Sequence, residues 1–295
     1  MTVTGNLTPE LLIEIQTDSV VARFTAIRRR LGLKIGLVML GLALLVTIGA
    51  PLFGPGSPTH IDALNPLVAP LVGGHLLGTD QLGRDVLARI LYGGRIDLGI
   101  AFGATSVTLV FGSIVGLTAG YRGGWVDTVL MRIVDLFFAF PFFVLVIAIV
   151  AFLGPSTLNL FIAIWLTSWV SYARIMRAET ISARRQQYVL AARALGYGWL
   201  RICFRHILPN VFSAILIFSM VDAMGNIILA ASLSFLGLGV QAPTPEWGAM
   251  ISDGQNYLLT SWWLATIPGL AIVWVGVAFS LIGDGLADLF RPGGA

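Results

Sequence analysis

"YVLAARALGYGWLRICFRHILPN", Tyr188 to Asn210, is a polar, arginine-bearing, helix-like stretch in a chain that is otherwise mostly apolar. Of the 295 residues, 57% are hydrophobic and only 11% charged, so a water-soluble surface cannot be built from them. The chain must sit in lipid. Runs long enough to cross about 30 Å of hydrocarbon are read at Ile35 to Phe53, Leu98 to Ala119, Leu136 to Leu153, Leu158 to Ile175, Val211 to Leu236 and Trp263 to Ile282. The expected fold is therefore an all-α membrane protein with six transmembrane helices, and the quoted stretch is the connection between the fourth and the fifth.

Orientation follows from Lys and Arg, which stay on the cytoplasmic side of bilayer-spanning proteins. With the N-terminus inside, the inner segments hold Arg23, Arg28, Arg29, Arg30, Lys34, Arg122, Arg132, Arg174, Arg177, Arg184, Arg185, Arg193, Arg201, Arg205 and Arg291, and only Arg84, Arg89 and Arg95 lie outside. Both termini are expected in the cytoplasm, and the net charge of +3 reflects orientation, not an affinity for nucleic acid. The basic segment before the first span is long for the start of a signal peptide, and Pro51 follows the one small-residue site, Ala50, so the first helix reads as uncleaved.

Three segments follow. Residues 1–34 read as a cytoplasmic N-terminal piece, with Pro9 to Arg30 as an amphipathic helix on the inner membrane surface. Residues 35–97 hold the first span and an outer loop rich in Pro and Gly. Residues 98–290 form the core, including the inner loop 176–208. Span two carries Gly99, Gly103, Gly112, Gly116 and Gly120, whose four-residue spacings let helix backbones approach closely in lipid. Pro141 and Pro268 start or kink spans three and six.

Chemistry on the chain itself is not expected. The single lysine, Lys34, is followed by Ile35, so no phosphate-binding loop exists to hold ATP, and the Gly-x-Ser-x-Gly pattern of a serine nucleophile is missing. His60, His75 and His206 are scattered, which argues against a metal site built from them, and the lone Cys203 excludes a disulfide within one chain. No cofactor is expected on this chain.

The inner loop reads as two short helices joined at Gly196. Tyr188, Ala191, Ala192 and Leu195 on one side, with Arg184, Arg185 and Arg193 nearby, would make a small apolar knob ringed by positive charge, suited to a groove on another protein or, more plainly, to a solvated loop facing anionic lipid. Asp222 is the most expensive residue of the sequence. It falls near the middle of span five, where a carboxylate costs roughly 2.5 kcal/mol or more, and Asn226 shares its face one turn on. Such a group either lines a path and meets a cationic substrate end, or bonds to a companion subunit. Outside, Asp80, Arg84, Asp85 and Arg89 stand at helical spacings that permit local ion pairs. Together with Glu246 and Trp247 they read as a docking rim for an external protein or as scaffolding for the outer loops.

The quoted stretch resembles the coupling loop of permease subunits of bacterial ATP-binding cassette importers, with Ala191, Ala192, Gly196, Leu208 and Pro209 matching its Ala-Ala, Gly and Leu-Pro positions. "HLLGTDQLGRDVLARILYGGR", "SWVSYARIMRAE", "YVLAARALG", "RHILPN", "LSFLGLG" and "GDGLAD" narrow the likeness to the C-type permease of dipeptide and oligopeptide importers, over about three quarters of the chain. The resemblance implies the type I importer permease fold and a heteromer in the bacterial cytoplasmic membrane. Its partners would be a second homologous permease, two cytoplasmic ATPase domains that bind ATP and Mg, an extracytoplasmic substrate-binding protein and a peptide cargo. It assigns coupling to Tyr188, Ala191, Ala192, Arg193, Leu195 and Gly196. Relatives that carry nickel or glutathione are alternatives, and an ion-coupled secondary transporter is a more distant one. Three positions depart from the pattern: Leu190 stands where a glutamate is usual, Ala230 where an acid is frequent, and Ala287 where an arginine is common.

Overall fold

The computed structural model describes residues 31–53 and 56–290. The expected amphipathic helix Pro9 to Arg30, its basic cluster and Arg291 lie outside the described residues. In chain order the helices are α1 (Leu31–Ile48), α2 (Ala50–Phe53), α3 (Val86–Arg122), α4 (Gly124–Phe138), α5 (Phe142–Leu153), α6 (Thr157–Ala183), α7 (Gln187–Ala194), α8 (Trp199–Ile202), α9 (Leu208–Phe235), α10 (Trp247–Gly254) and α11 (Trp263–Leu289). Five segments among the described residues are long and apolar enough to cross a membrane, α1, α3, α6, the run Trp199–Phe235 and α11, and the bent pair α4–α5 makes six when it is counted as one broken span.

The third expected span is different. Leu136 to Leu153 is not one rod: α4 and α5 meet at a bend of 82°. Pro141 sits at the start of α5, where its fixed φ and missing N–H are tolerated, and Ala139 closes α4 by donating back to Asp135. At 12 residues, α5 reaches only about 18 Å. The helix that precedes it reaches back to Gly124, through residues that read as a loop in the sequence.

Two further departures have local causes. The second half of the inner loop is not a separate helix, because α8 runs through a wide turn, Cys203–Ile207, directly into α9. In a regular helix the ring of Pro209 would strike the carbonyl four residues earlier, and a turn closed by Leu208 N–H donating to Cys203 O relieves that collision. Pro268, in contrast, lies buried within α11, which continues past it to Leu289.

The centre of the molecule is the α3–α6 seam. An added Cβ at Gly112 would lie 2.5 Å from Tyr172 Cβ, one at Gly116 2.8 Å from Met176 Cβ, and one at Gly120 2.8 Å from Arg177 O, so the glycine face of α3 lies directly on the backbone of α6. Gly99, at the other end of the series, faces open space. Gly116→Val is therefore expected to destabilise the protein by about 1–3 kcal/mol through overpacking, with Gly99→Ala close to neutral. Thermal unfolding of the detergent-solubilised variants measures the contrast, and equal midpoints would overturn it.

At one end of the bundle the short α7 stands beyond the ends of α6 and α9. At the other, α10 and the loop 56–85 form a cap. Six of the arginines near the α7 end are anchored by the chain itself: Arg177 pairs with Asp127 (2.5 Å), Arg174 with Asp135 (2.7 Å), and Arg184 donates to Tyr121 O (3.0 Å). Arg122, Arg193 and Arg201 lie over the rings of Trp199, Tyr121 and Tyr197.

Candidate functional site

Asp222 lies within α9, and three helices meet around it. Tyr172 of α6 donates its hydroxyl to Asp222 Oδ2 at 2.9 Å, and Thr105 of α3 donates to the same oxygen at 3.3 Å. Asn226, one turn along α9, donates to Asp222 Oδ2 at 3.2 Å and to Thr105 Oγ1 at 3.0 Å. Thr105, Tyr172 and Asn226 are buried, whereas Asp222 itself is half-buried. One carboxylate oxygen is thus fully engaged inside the chain, and hydrogen bonds to an ionised group are the strong kind that offset the cost of charge at this depth. The sequence paired Asp222 with Asn226 by helical spacing alone. Tyr172 and Thr105, 50 and 117 residues away, carried no signal that would bring them to it.

The protruding element is built as follows. Arg185 and Gln186 close the end of α6 by bonding back to Ser182 and Ala183, and α7 begins one residue later. Its far end is a paired-bond stop: Gly196 N–H donates to Arg193 O at 2.9 Å and Tyr197 N–H to Ala192 O at 3.2 Å, with Gly196 at φ +77°. That left-handed conformation is open to glycine and strained for most side chains. Helical spacing puts Val189 and Ala192 inward, where they join a core with Leu117, Tyr172, Met176, Ile202, Cys203 and Ile207.

Ala192 therefore departs from the expected knob. It is 3% exposed and anchors α7, while Tyr188, Ala191, Arg193 and Leu195 face outward, together with Leu190. Partial burial pushes the Tyr188 phenol above its ordinary pKa, so it stays a neutral donor. Leu190, the residue that replaces the usual glutamate, is half exposed and widens the apolar face.

The residues of the expected outer rim serve the cap. Asp80 accepts from the backbone N–H of Leu82 and Arg84 at 2.9 Å each and from Arg84 Nε at 2.6 Å. Asp85 caps α3 by accepting from Ala88 N–H at 2.9 Å and pairs with His75 at 2.8 Å. Glu246 caps α10 through Gly248 and Ala249 N–H at 2.9 and 2.7 Å. Trp247 fills the space beside Gly93 and Gly94 and donates its indole N–H to Ile90 O at 3.0 Å. Asp80, Arg84, Glu246 and Trp247 are all buried. Of the ion pairs that the spacing suggested, Asp80–Arg84 forms, in a desolvated setting where removing one partner costs far more than it would at a surface, whereas Asp85 pairs with His75 and not with Arg89.

Comparison with known proteins places these features. Residues 109–293 match the family described as binding-protein-dependent transport system inner membrane component. The dipeptide transport system permease protein DppC of Alkalihalophilus pseudofirmus is 42% identical over 258 residues, covering 88% of this chain and 84% of that protein. The glutathione transport system permease protein GsiD of Pectobacterium atrosepticum is 43% identical over 74% of this chain and 72% of its own length. The nickel transport system permease protein NikC of Escherichia coli is 37% identical over 89% of this chain and 95% of its own length. A solved MetNI methionine ABC transporter in inward-facing conformations shares the fold, with a TM-score of 0.56 at 16% identity over 69% of this chain and 96% of that one. The chain is thus a multi-pass membrane protein of the binding-protein-dependent transport system inner membrane component family, a permease subunit of ABC importers.

Proposed function

We propose that this chain is one of two homologous permease subunits of an ATP-driven importer and forms half of the translocation path for di- or oligopeptides. What carries the cargo reading is the identity to dipeptide permeases over most of the chain. The excess of Lys and Arg at the α7 end supports a cytoplasmic position for that end and for both termini.

In this reading α7 enters a groove on a cytoplasmic ATPase domain, with Tyr188, Ala191, Arg193 and Leu195 as the contact face, Ala192 as the anchor and Gly196 as the stop. ATP and Mg are held by the two ATPase domains, and their closure moves α7 and with it α6 and α9. Asp222 and Asn226 line the path, and the free face of the Asp222 carboxylate meets the cationic end of the cargo. The external binding protein docks on the cap whose shape Asp80, Arg84, Asp85, Glu246 and Trp247 maintain. The domain reading has the same basis, with residues 98–290 as the moving core and 176–208 as its coupling loop.

Proteoliposomes holding the whole complex test this directly. ATP-dependent accumulation of a labelled dipeptide presented by the cognate binding protein is the expected result. Nickel and glutathione are the second reading, because relatives of similar identity are named for them; accumulation of either one instead of the dipeptide would replace the cargo. Uptake that ignores ATP and follows an ion gradient would overturn the importer class as well.

A further inference from the structure

Arg89 begins the second turn of α3 and is 3% exposed. Among the described residues none of its guanidinium nitrogens makes a hydrogen bond. Its two ion pairs are long: Asp80 Oδ2 is 3.5 Å from Nε, and Asp253 Oδ2 is 3.6 Å from Nη2. Nη1 is fully buried with no partner. Asp80 is already occupied, since its two oxygens accept from Leu82 N–H, Arg84 N–H and Arg84 Nε. Asp253 is the loose member, 45% exposed and 3.6 Å from Arg84 Nη2 as well. A desolvated guanidinium with such incomplete pairing is costly, and its fork matches a carboxylate in two-point contact.

The same arginine lines a cleft of about 410 Å³ between the end of α9 and α10, together with Ser234, Gln241, Thr244, Ser252 and Asp253. That volume is in the range of small-ligand sites. The cleft lies at the end of the bundle opposite α7, where cargo arrives in the proposed orientation.

We propose that Arg89 is a carboxylate-binding residue, and that the cleft receives the C-terminal carboxylate of the peptide cargo as Asp253 swings away. The inference rests on the peptide reading above. Charge balance favours the exchange: two guanidinium groups, Arg84 and Arg89, face two carboxylates before it, Asp80 and Asp253, and two after it, Asp80 and the cargo. Asp253 is suited to be displaced because its side chain reaches solvent and holds neither arginine at hydrogen-bonding distance.

The test compares uptake of Ala-Phe and of its C-terminal amide by the reconstituted complex, with binding-protein loading measured and matched for the two peptides. Wild type should favour the free acid. Arg89→Lys, which keeps the charge and loses the fork, should reduce the acid-to-amide ratio roughly tenfold. Asp253→Asn, which weakens the resident competitor without removing its bulk, should raise the ratio. Equal loss for both peptides in Arg89→Lys, or an unmoved ratio in Asp253→Asn, overturns the proposal; the second variant decides alone if the first does not assemble. A wild-type complex that carries neither peptide defeats the peptide reading itself, a result distinct from an unmoved ratio.

Discussion

Gly196→Glu is expected to abolish stimulation of the partner ATPases by loaded binding protein while the chain still inserts and assembles with its companion permease. The residue sits at φ +77°, and an added Cβ meets nothing within 4 Å, so the damage comes from the backbone and not from a collision. A non-glycine side chain in that region costs about 1–2 kcal/mol. The local alternative is to abandon the paired bonds from Gly196 and Tyr197 and let the end of α7 fray. Fraying frees the outward face, Tyr188 to Leu195, from its fixed relation to Val189 and Ala192, and a handle that is not rigid transmits no displacement. Gly196→Asn separates this cause from a general defect, because asparagine tolerates the left-handed region. Most of the stimulation should survive in the asparagine variant. Full stimulation in the glutamate variant, measured as ATP turnover in nanodiscs, would remove α7 from the coupling role.

Asp222→Asn should lower uptake about tenfold or more with assembly unchanged. The replacement is nearly isosteric and still accepts from Tyr172, but it lacks the charge that makes those hydrogen bonds strong and that would meet a cationic cargo; such bonds are worth about 1.5–3 kcal/mol each. Two controls sharpen the reading. Tyr172→Phe keeps the charge and removes the shortest of the bonds to Oδ2, so a purely structural carboxylate predicts a loss of thermal stability in both variants. A path-lining carboxylate predicts the larger uptake defect in Asp222→Asn, with a raised concentration for half-maximal ATPase stimulation. Uptake in Asp222→Asn equal to wild type would take Asp222 out of the path.

Much of the plan was legible along the chain because lipid imposes it residue by residue. Segments long and apolar enough to span were recovered at α1, α3, α6, α9 and α11, with ends that differ because α3 and α6 run on past their apolar windows. The four-residue glycine spacing marked the α3–α6 seam, and Gly196 marked the stop of the inner helix. The differences in detail share one origin. The apolar run Leu136 to Leu153 has the composition of a span, but composition carries no direction, and the turn at Pro141 is a matter of backbone geometry. Ala192 looked like part of an outward knob because spacing defines a face without saying what that face meets.

What the sequence determined alone is the set of properties that depend on single residues and near neighbours: membrane residence, the number of apolar segments, the charge asymmetry between the two ends, and the turn that only glycine accepts readily. Tertiary structure decided the distant partners of Asp222, Arg84 and Arg89. Tyr172 and Thr105 reach Asp222 from other helices, and Asp253 reaches the arginines of the cap from across the molecule. The reason is physical. A helix spacing rule extends three or four residues, whereas a desolvated carboxylate or guanidinium must find its complement wherever packing brings one, and packing sums the whole chain.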